Sequence, residues 1–145
     1  MKTLGYIKTQ YTVMLDLPKD PGIVFAHLTD LARWWPEDFV GGEVKLNAEF
    51  ILKVGEEHVS KNRITEFVPG KKLVWLTTES RRKQDGYDWS GTHFIFQLTP
   101  KGNDTELKFT YDGLVLTNES ARLAEVCNMC IKNLLYNFVV HGKTK

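Results

Sequence analysis

Cysteine is scarce in this sequence: among 145 residues only Cys127 and Cys130 carry a thiol. Two thiols are too few to staple a small extracellular scaffold, so stability has to come from a hydrophobic core. A chain of this size can build one, because it buries roughly 68–70% of the surface that its unfolded form exposes. Charge of one sign is missing as well. The 19 basic and 18 acidic residues leave a formal net charge of +1, which gives no broad field for nucleic acid or for an anionic lipid surface. No apolar run approaches the ~18 residues of a membrane-spanning helix. The opening "MKTLGYIKTQYTVMLDL" has neither the apolar stretch nor the small-residue cleavage site of a secretory leader, so a cytoplasmic location is expected. Internal repeats and low-complexity segments are absent. So are Gly-x-Ser-x-Gly, His-Glu-x-x-His and glycine-rich phosphate loops, and neither a cofactor nor a metal is expected.

What is present is a change of hydrophobic period along the chain. Thr, Tyr, Val and Leu dominate from Tyr6 to Leu17, and Pro18 interrupts them, which reads as a first strand. Asp20 then caps a helix whose first residue is Pro21, with Val24, Phe25, Leu28 and Leu31 at helical spacing. Thr29 or Asp30 recaps a second short helix that Pro36 stops. From Phe39 to Leu114 the chain alternates as strands do: Phe50, Leu52 and Val54; Phe94, Phe96 and Leu98; Leu107, Phe109 and Tyr111. The turns fall at Gly55-Glu56-Glu57, at Val68-Pro69-Gly70-Lys71 and at Pro100-Lys101-Gly102-Asn103. A last helix begins at Thr117 or Asn118 and ends near Gly142. Its apolar stripe comprises Leu123, Val126, Cys127, Cys130, Ile131, Leu134, Leu135 and Phe138. Such a helix needs an apolar partner, and the sheet's buried face supplies it, so the fold class is α+β in one domain, residues 1–145.

Individual segments narrow this further. "VFAHLTDLARWW", "ITEFVPGKKLVWLT" and "DTELKFTYDGL" follow one another in an order that resembles the SRPBCC superfamily of START-like domains, in the branch of activators of the heat-shock chaperone ATPase. The resemblance runs from about Ile7 to Phe138. It departs at Tyr111, where a histidine is common, and at "CNMCI", which replaces a tryptophan often found in the first half of the last helix. The resemblance implies a helix-grip fold, a curved antiparallel sheet wrapped on the C-terminal helix with a cavity between them. It also implies a choice of roles, since the superfamily includes carriers of small apolar molecules, co-chaperones and aromatase/cyclase-type enzymes.

Alternation selects the side chains that would line such a cavity: Phe50, Leu52, Ile64, Trp75, Phe94, Phe96, Phe109 and Tyr111 from the sheet, and Cys127, Cys130, Leu134 and Phe138 from the helix. Trp35, held extended by Pro36, is expected to close the mouth while Trp34 covers the outer side of the helix pair. Polar groups would orient a ligand there. His58, Asn62 and Glu66 share the face of Ile64, Thr92 shares that of Phe94, and Asn128 reaches the same space. A catalytic pair of His58 and Glu66 is excluded, since eight residues of strand separate them by roughly 27 Å. His93 alternates away from Phe94 towards solvent, and neither His27 nor His141 has a carboxylate partner that the sequence specifies, so an enzymatic role is not indicated.

Cys127-x-x-Cys130 lies in mid-helix without a second ligand pair, which fits core thiols better than zinc or redox chemistry. Arg81, Arg82 and Lys83 sit at a hairpin tip beside Asp85 and Asp88, either as a solvated turn or as a docking patch for a chaperone partner. The expected function is therefore binding of a small hydrophobic or amphipathic molecule by a monomer or homodimer, with no nucleic acid or membrane partner. A co-chaperone role and an aromatase/cyclase activity are the alternatives.

Overall fold

The computed structural model describes residues 8–35, 38–54, 58–82, 90–115 and 118–143. Its elements are β1 (Lys8–Leu17), α1 (Pro21–Leu28), α2 (Leu31–Trp34), β2 (Phe39–Gly41), β3 (Glu49–Val54), β4 (His58–Val68), β5 (Lys72–Arg82), β6 (His93–Lys101) and β7 (Asp104–Val115). The C-terminal helix follows in three consecutive stretches, α3 (Asn118–Met129), a π-helical segment (Cys130–Leu135) and α4 (Tyr136–His141). The strands form one antiparallel sheet in the order β1-β7-β6-β5-β4-β3-β2. This is the α+β helix-grip architecture that the sequence implies. Among the described residues, no helix is long and apolar enough to cross a membrane.

Local chemistry explains where α1 and α2 start and stop. Asp20 is extended, at φ −70° and ψ 159°, and its Oδ1 accepts the Ile23 N–H at 3.2 Å. Pro21 follows as the first helical residue, where its missing N–H costs nothing. Asp30 makes no such cap for α2 and instead pairs with Arg33 at 3.4 Å. Trp35 is already extended, with ψ 130°, and Pro36 lies outside the described residues. At the far end of the chain Gly142 takes the left-handed conformation, φ 69°, and its N–H closes α4 onto the Phe138 carbonyl at 3.0 Å.

Two register shifts between β4 and β5 reshape the sheet. Ile64 pairs with Trp75 but Glu66 pairs with Val74, so Thr65 is an extra residue on β4. Alternation across that bulge inverts: Glu66 points away from the Ile64 face and binds Lys72 at 3.3 Å, and Phe67 turns inward against Phe25 at 5.3 Å. This corrects the expected placement of Glu66 on the inner face. The reason is energetic, since an uninterrupted strand would bury a carboxylate and expose a phenyl ring. The second shift makes Thr78 the extra residue, and its hydroxyl is tied to the Lys61 carbonyl at 3.1 Å.

The C-terminal helix carries its own correction. Its buried residues include Cys127, Ile131, Leu135 and Val139, which recur every four positions. On a regular α-helix that spacing drifts by about 40° per step, and the wider i→i+5 turns of Cys130–Leu135 absorb the drift. Leu135 therefore takes the inward position, fully buried, while Leu134, expected to line the cavity, is only half-buried. Val126 and Met129 lie outside, 40% and 61% exposed.

Trp34 and Trp35 depart from expectation in a related way. Both are buried, Trp34 as completely as Trp35, so Trp34 does not cover the outer side of the helix pair. The Trp34 Nε1–H donates to the Leu28 carbonyl at 3.0 Å and ties α2 to α1. The Trp35 Nε1–H donates to the Lys53 carbonyl at 2.8 Å and ties α2 to β3. Replacing either with alanine should therefore cost about 3–5 kcal/mol in chemical denaturation; a small loss at Trp34 alone would restore the asymmetric picture.

Candidate functional site

The inner face of the sheet is a continuous aromatic surface. Trp75, on the central strand β5, stacks on Phe94 with centroids 4.9 Å apart and rings 19° from parallel, and it meets Phe50 edge-on at 5.3 Å. Phe96 lies 5.2 Å from Trp75 and 5.0 Å from Phe109, and Tyr111 lies 4.4 Å from Phe94. Trp35 reaches over from α2 to Trp75 at 6.5 Å and to Phe94 at 6.2 Å. Leu52 and Ile64 complete the surface, and Cys127 and Cys130 are buried on the helix. Phe138 is buried further along, against the His27 ring at 4.7 Å. Strand alternation thus brings Phe50, Leu52, Ile64, Trp75, Phe94, Phe96, Phe109 and Tyr111 together as the sequence implies. His58 heads β4, and its side chain lies outside the description, as do those of Arg81 and Arg82 and all of Lys83.

Beside the aromatic surface runs a buried polar row. The Thr77 hydroxyl donates to Asn62 Oδ1 at 2.8 Å, and Asn62 Nδ2 donates to the Ser60 hydroxyl at 3.1 Å and to the Ser60 carbonyl at 3.3 Å. Thr92 is buried just before β6, where its carbonyl accepts the Thr77 N–H at 2.9 Å. Ser60 and Thr77 were legible by the same alternation that selects Asn62 and Trp75, because each lies two residues away from one of them. Small hydroxyl side chains in strands carry no signal of their own. The donors of Asn62 are engaged by Ser60 and its oxygen accepts from Thr77, so the row fixes β4 against β5.

Two other buried polar atoms are left over. Among the described residues, Trp75 Nε1 and Asn128 Oδ1 are enclosed and have no hydrogen-bond partner. Leaving a buried donor or acceptor unpaired costs about 1–3 kcal/mol, so native structures rarely keep one without a reason. Trp75 lies on the central strand of the sheet, and Asn128, itself half-buried, lies in α3 next to the π-helical segment. Among the described residues no charged side chain is buried, and no group of three or more His, Cys, Asp or Glu is placed to hold a metal. Clefts lined by described residues open elsewhere, on the surface. One of about 470 Å³ lies between α1–α2 and Phe39, Val44 and Phe67, and one of about 360 Å³ lies between His27, Arg33 and Phe138.

The family model described as Activator of Hsp90 ATPase homolog 1-like protein matches residues 20–137. No curated protein matches the chain in sequence. Among solved structures, the Aha1 dimer from Colwellia psychrerythraea superposes with a TM-score of 0.74 at 19% identity, covering 93% of this chain and 98% of that one. The Mll3558 protein from Rhizobium loti gives 0.65 at 20% identity over 84% and 90% of the two chains. CalU16 from Micromonospora echinospora gives 0.68 at 13% identity over 91% and 74%. At these identities the likeness is one of fold.

The cysteines belong to the packing of this layer. Burial pushes the Cys127 thiol well above the ordinary thiol range, and the neighbouring Cys130 adds to the shift. A raised thiol pKa means that the folded state holds its proton while the unfolded state releases it, so this contribution to stability is lost as pH rises through the alkaline range. Cys127 should therefore resist iodoacetamide at neutral pH until the protein is unfolded. The double change Cys127→Ala, Cys130→Ala should fold with a loss attributable to packing alone. Rapid native-state labelling of Cys127, or stoichiometric zinc that the double change removes, would overturn this.

Proposed function

The chain belongs to the family of Activator of Hsp90 ATPase homolog 1-like proteins, and on that premise we propose that it binds a small apolar or amphipathic molecule between the sheet and the C-terminal helix. The observation that carries this reading is the Trp75 Nε1–H, a donor enclosed at the centre of an aromatic surface with no acceptor among the described residues. Apolar walls with a few placed polar atoms are the usual composition of a small-molecule site. The walls here are Phe50, Trp75, Phe94, Phe96 and Tyr111, with Trp35 across one end. The π-helical segment of the C-terminal helix is in keeping with the same reading, because such segments are frequent at functional positions. Each Å² of apolar ligand surface removed from water contributes about 25 cal/mol, less the cost of ordering both partners.

The family's name keeps a co-chaperone role as the second reading, in which exposed loops act on a heat-shock chaperone ATPase and the interior serves only as core. The two readings separate in one experiment. A ligand bound to the native state alone stabilises it by roughly 2.7 kcal/mol at a hundredfold excess over Kd. Thermal-shift screening of sterols, fatty acids, flavonoids and polyketide-like aromatics should therefore find stabilising compounds. Thr92→Phe, which fills the inner face, should abolish that stabilisation in a protein that still melts cooperatively. If no compound raises the melting temperature while the protein stimulates a chaperone ATPase equally with and without Thr92→Phe, the binding reading fails and the second stands.

A further inference from the structure

We propose that the surface cleft between the helix pair and the β2–β3 segment is a second binding site, separate from the interior, and that it takes a small organic cation, an ammonium group on an apolar body. At about 470 Å³ the cleft is within the size range of small-molecule sites. Leu31 and Val44 line it as buried residues, and Phe39 and Phe67 line it half-buried, so much of its wall is apolar. The bulge at Thr65 is what supplies Phe67, whose ring meets Phe25 of α1 edge-on at 5.3 Å. Two glycines keep the strand side open. Gly41 lies against Phe50, where a Cβ would come within 2.8 Å of the Phe50 Cβ, whereas a Cβ on Gly42 would meet nothing within 4 Å.

Charge selects the occupant. Asp30 lines the cleft from the helix side and Glu43 from the strand side, and no lysine, arginine or histidine is among the described residues that line it. Asp30 precedes α2 without capping it, so its carboxylate is not needed to start that helix. Its contact with Arg33, at 3.4 Å between largely exposed side chains, is of the weak surface kind, and Arg33 itself faces the neighbouring cleft with His27 and Phe138. An anion in the 470 Å³ cleft would be repelled by both carboxylates, and a neutral molecule would gain nothing from them. A cation is attracted wherever it sits in the cleft, without having to touch both, and aromatic walls favour a cation further. The apolar share of the wall asks for a body of one or two rings behind the charge.

Three probes on one ring system test this. 2-Naphthylmethylamine, 2-naphthylmethanol and 2-naphthoic acid are positive, neutral and negative at neutral pH. Titrated into the wild-type chain by calorimetry at low salt, the amine should bind about 3- to 30-fold more tightly than the alcohol, the range expected of one or two exposed charge pairs. The acid should bind most weakly. Asp30→Asn combined with Glu43→Gln should bring amine and alcohol within about twofold of one another, and salt near ~0.5 M should narrow the gap in the wild type. Gly42→Trp, and Ala32→Phe from the helix side, should weaken the amine in proteins that still melt cooperatively. Thr92→Phe, a change in the interior, should leave amine binding as it is, so the outcome does not depend on the interior reading. No amine binding, equal binding of amine and alcohol, or a preference that survives the double change would overturn the inference. So would binding lost in Thr92→Phe but kept in Gly42→Trp and Ala32→Phe. Methylamine competing as well as the ring-bearing amine, or a capped peptide of lysine and phenylalanine binding at least about tenfold more tightly, would overturn the small-molecule assignment in favour of charge alone or of a protein partner.

Discussion

The packing of Trp75 is the contact on which the rest of the architecture depends. It occupies the central strand of the sheet, touches Phe50, Phe94 and Phe96 from that sheet, and receives Trp35 from the end of α2. Rings of this size bury more area than any aliphatic side chain, and offset or edge-on contacts add to that area. The surface they make cannot face water, so one long helix has to cover it. The four-residue recurrence of its buried positions in turn requires the wide turns of Cys130–Leu135.

Trp34 and Trp35 show how the chain pins that cover in place. The two indoles sit where a helix must stop, and their N–H groups are assigned to different elements, one to Leu28 and one to Lys53. The first closes the helix pair on itself and the second fastens it to β3. Trp75 has the same donor in the same kind of enclosure and, among the described residues, no acceptor. That contrast, between two indoles used for construction and one left unpaired, is the physical basis for regarding the inner face as more than core.

Much of this was legible in the sequence because it follows from periodicity and caps. Asp20-Pro21 marked the start of α1, Gly142 the end of α4, and alternation identified Phe50, Trp75, Phe94 and Tyr111 as inward. The misses share a cause. Glu66 and Leu134 were placed by continuing a period past a point where the backbone inserts a residue, at the Thr65 bulge and in the π-helical segment. Neither insertion has a local residue signature, since both are set by which side chain tertiary packing will accept inside. Trp34 was misplaced for a different reason: a period on a four-residue helix defines no face. The unpaired atoms of Trp75 and Asn128 could not be read at all, because pairing is a property of neighbours brought from distant segments.

The most direct measurement is the indole N–H spectrum of the native protein by NMR, with Trp75 identified by its loss in Trp75→Phe, followed during titration with a stabilising compound. If the inner face is a binding site completed by its ligand, the Trp75 resonance moves downfield as it gains an acceptor, while the Trp34 resonance, already bonded to the Leu28 carbonyl, stays where it is. A Trp75 resonance that remains fixed while a compound binds elsewhere on the molecule would contradict the account.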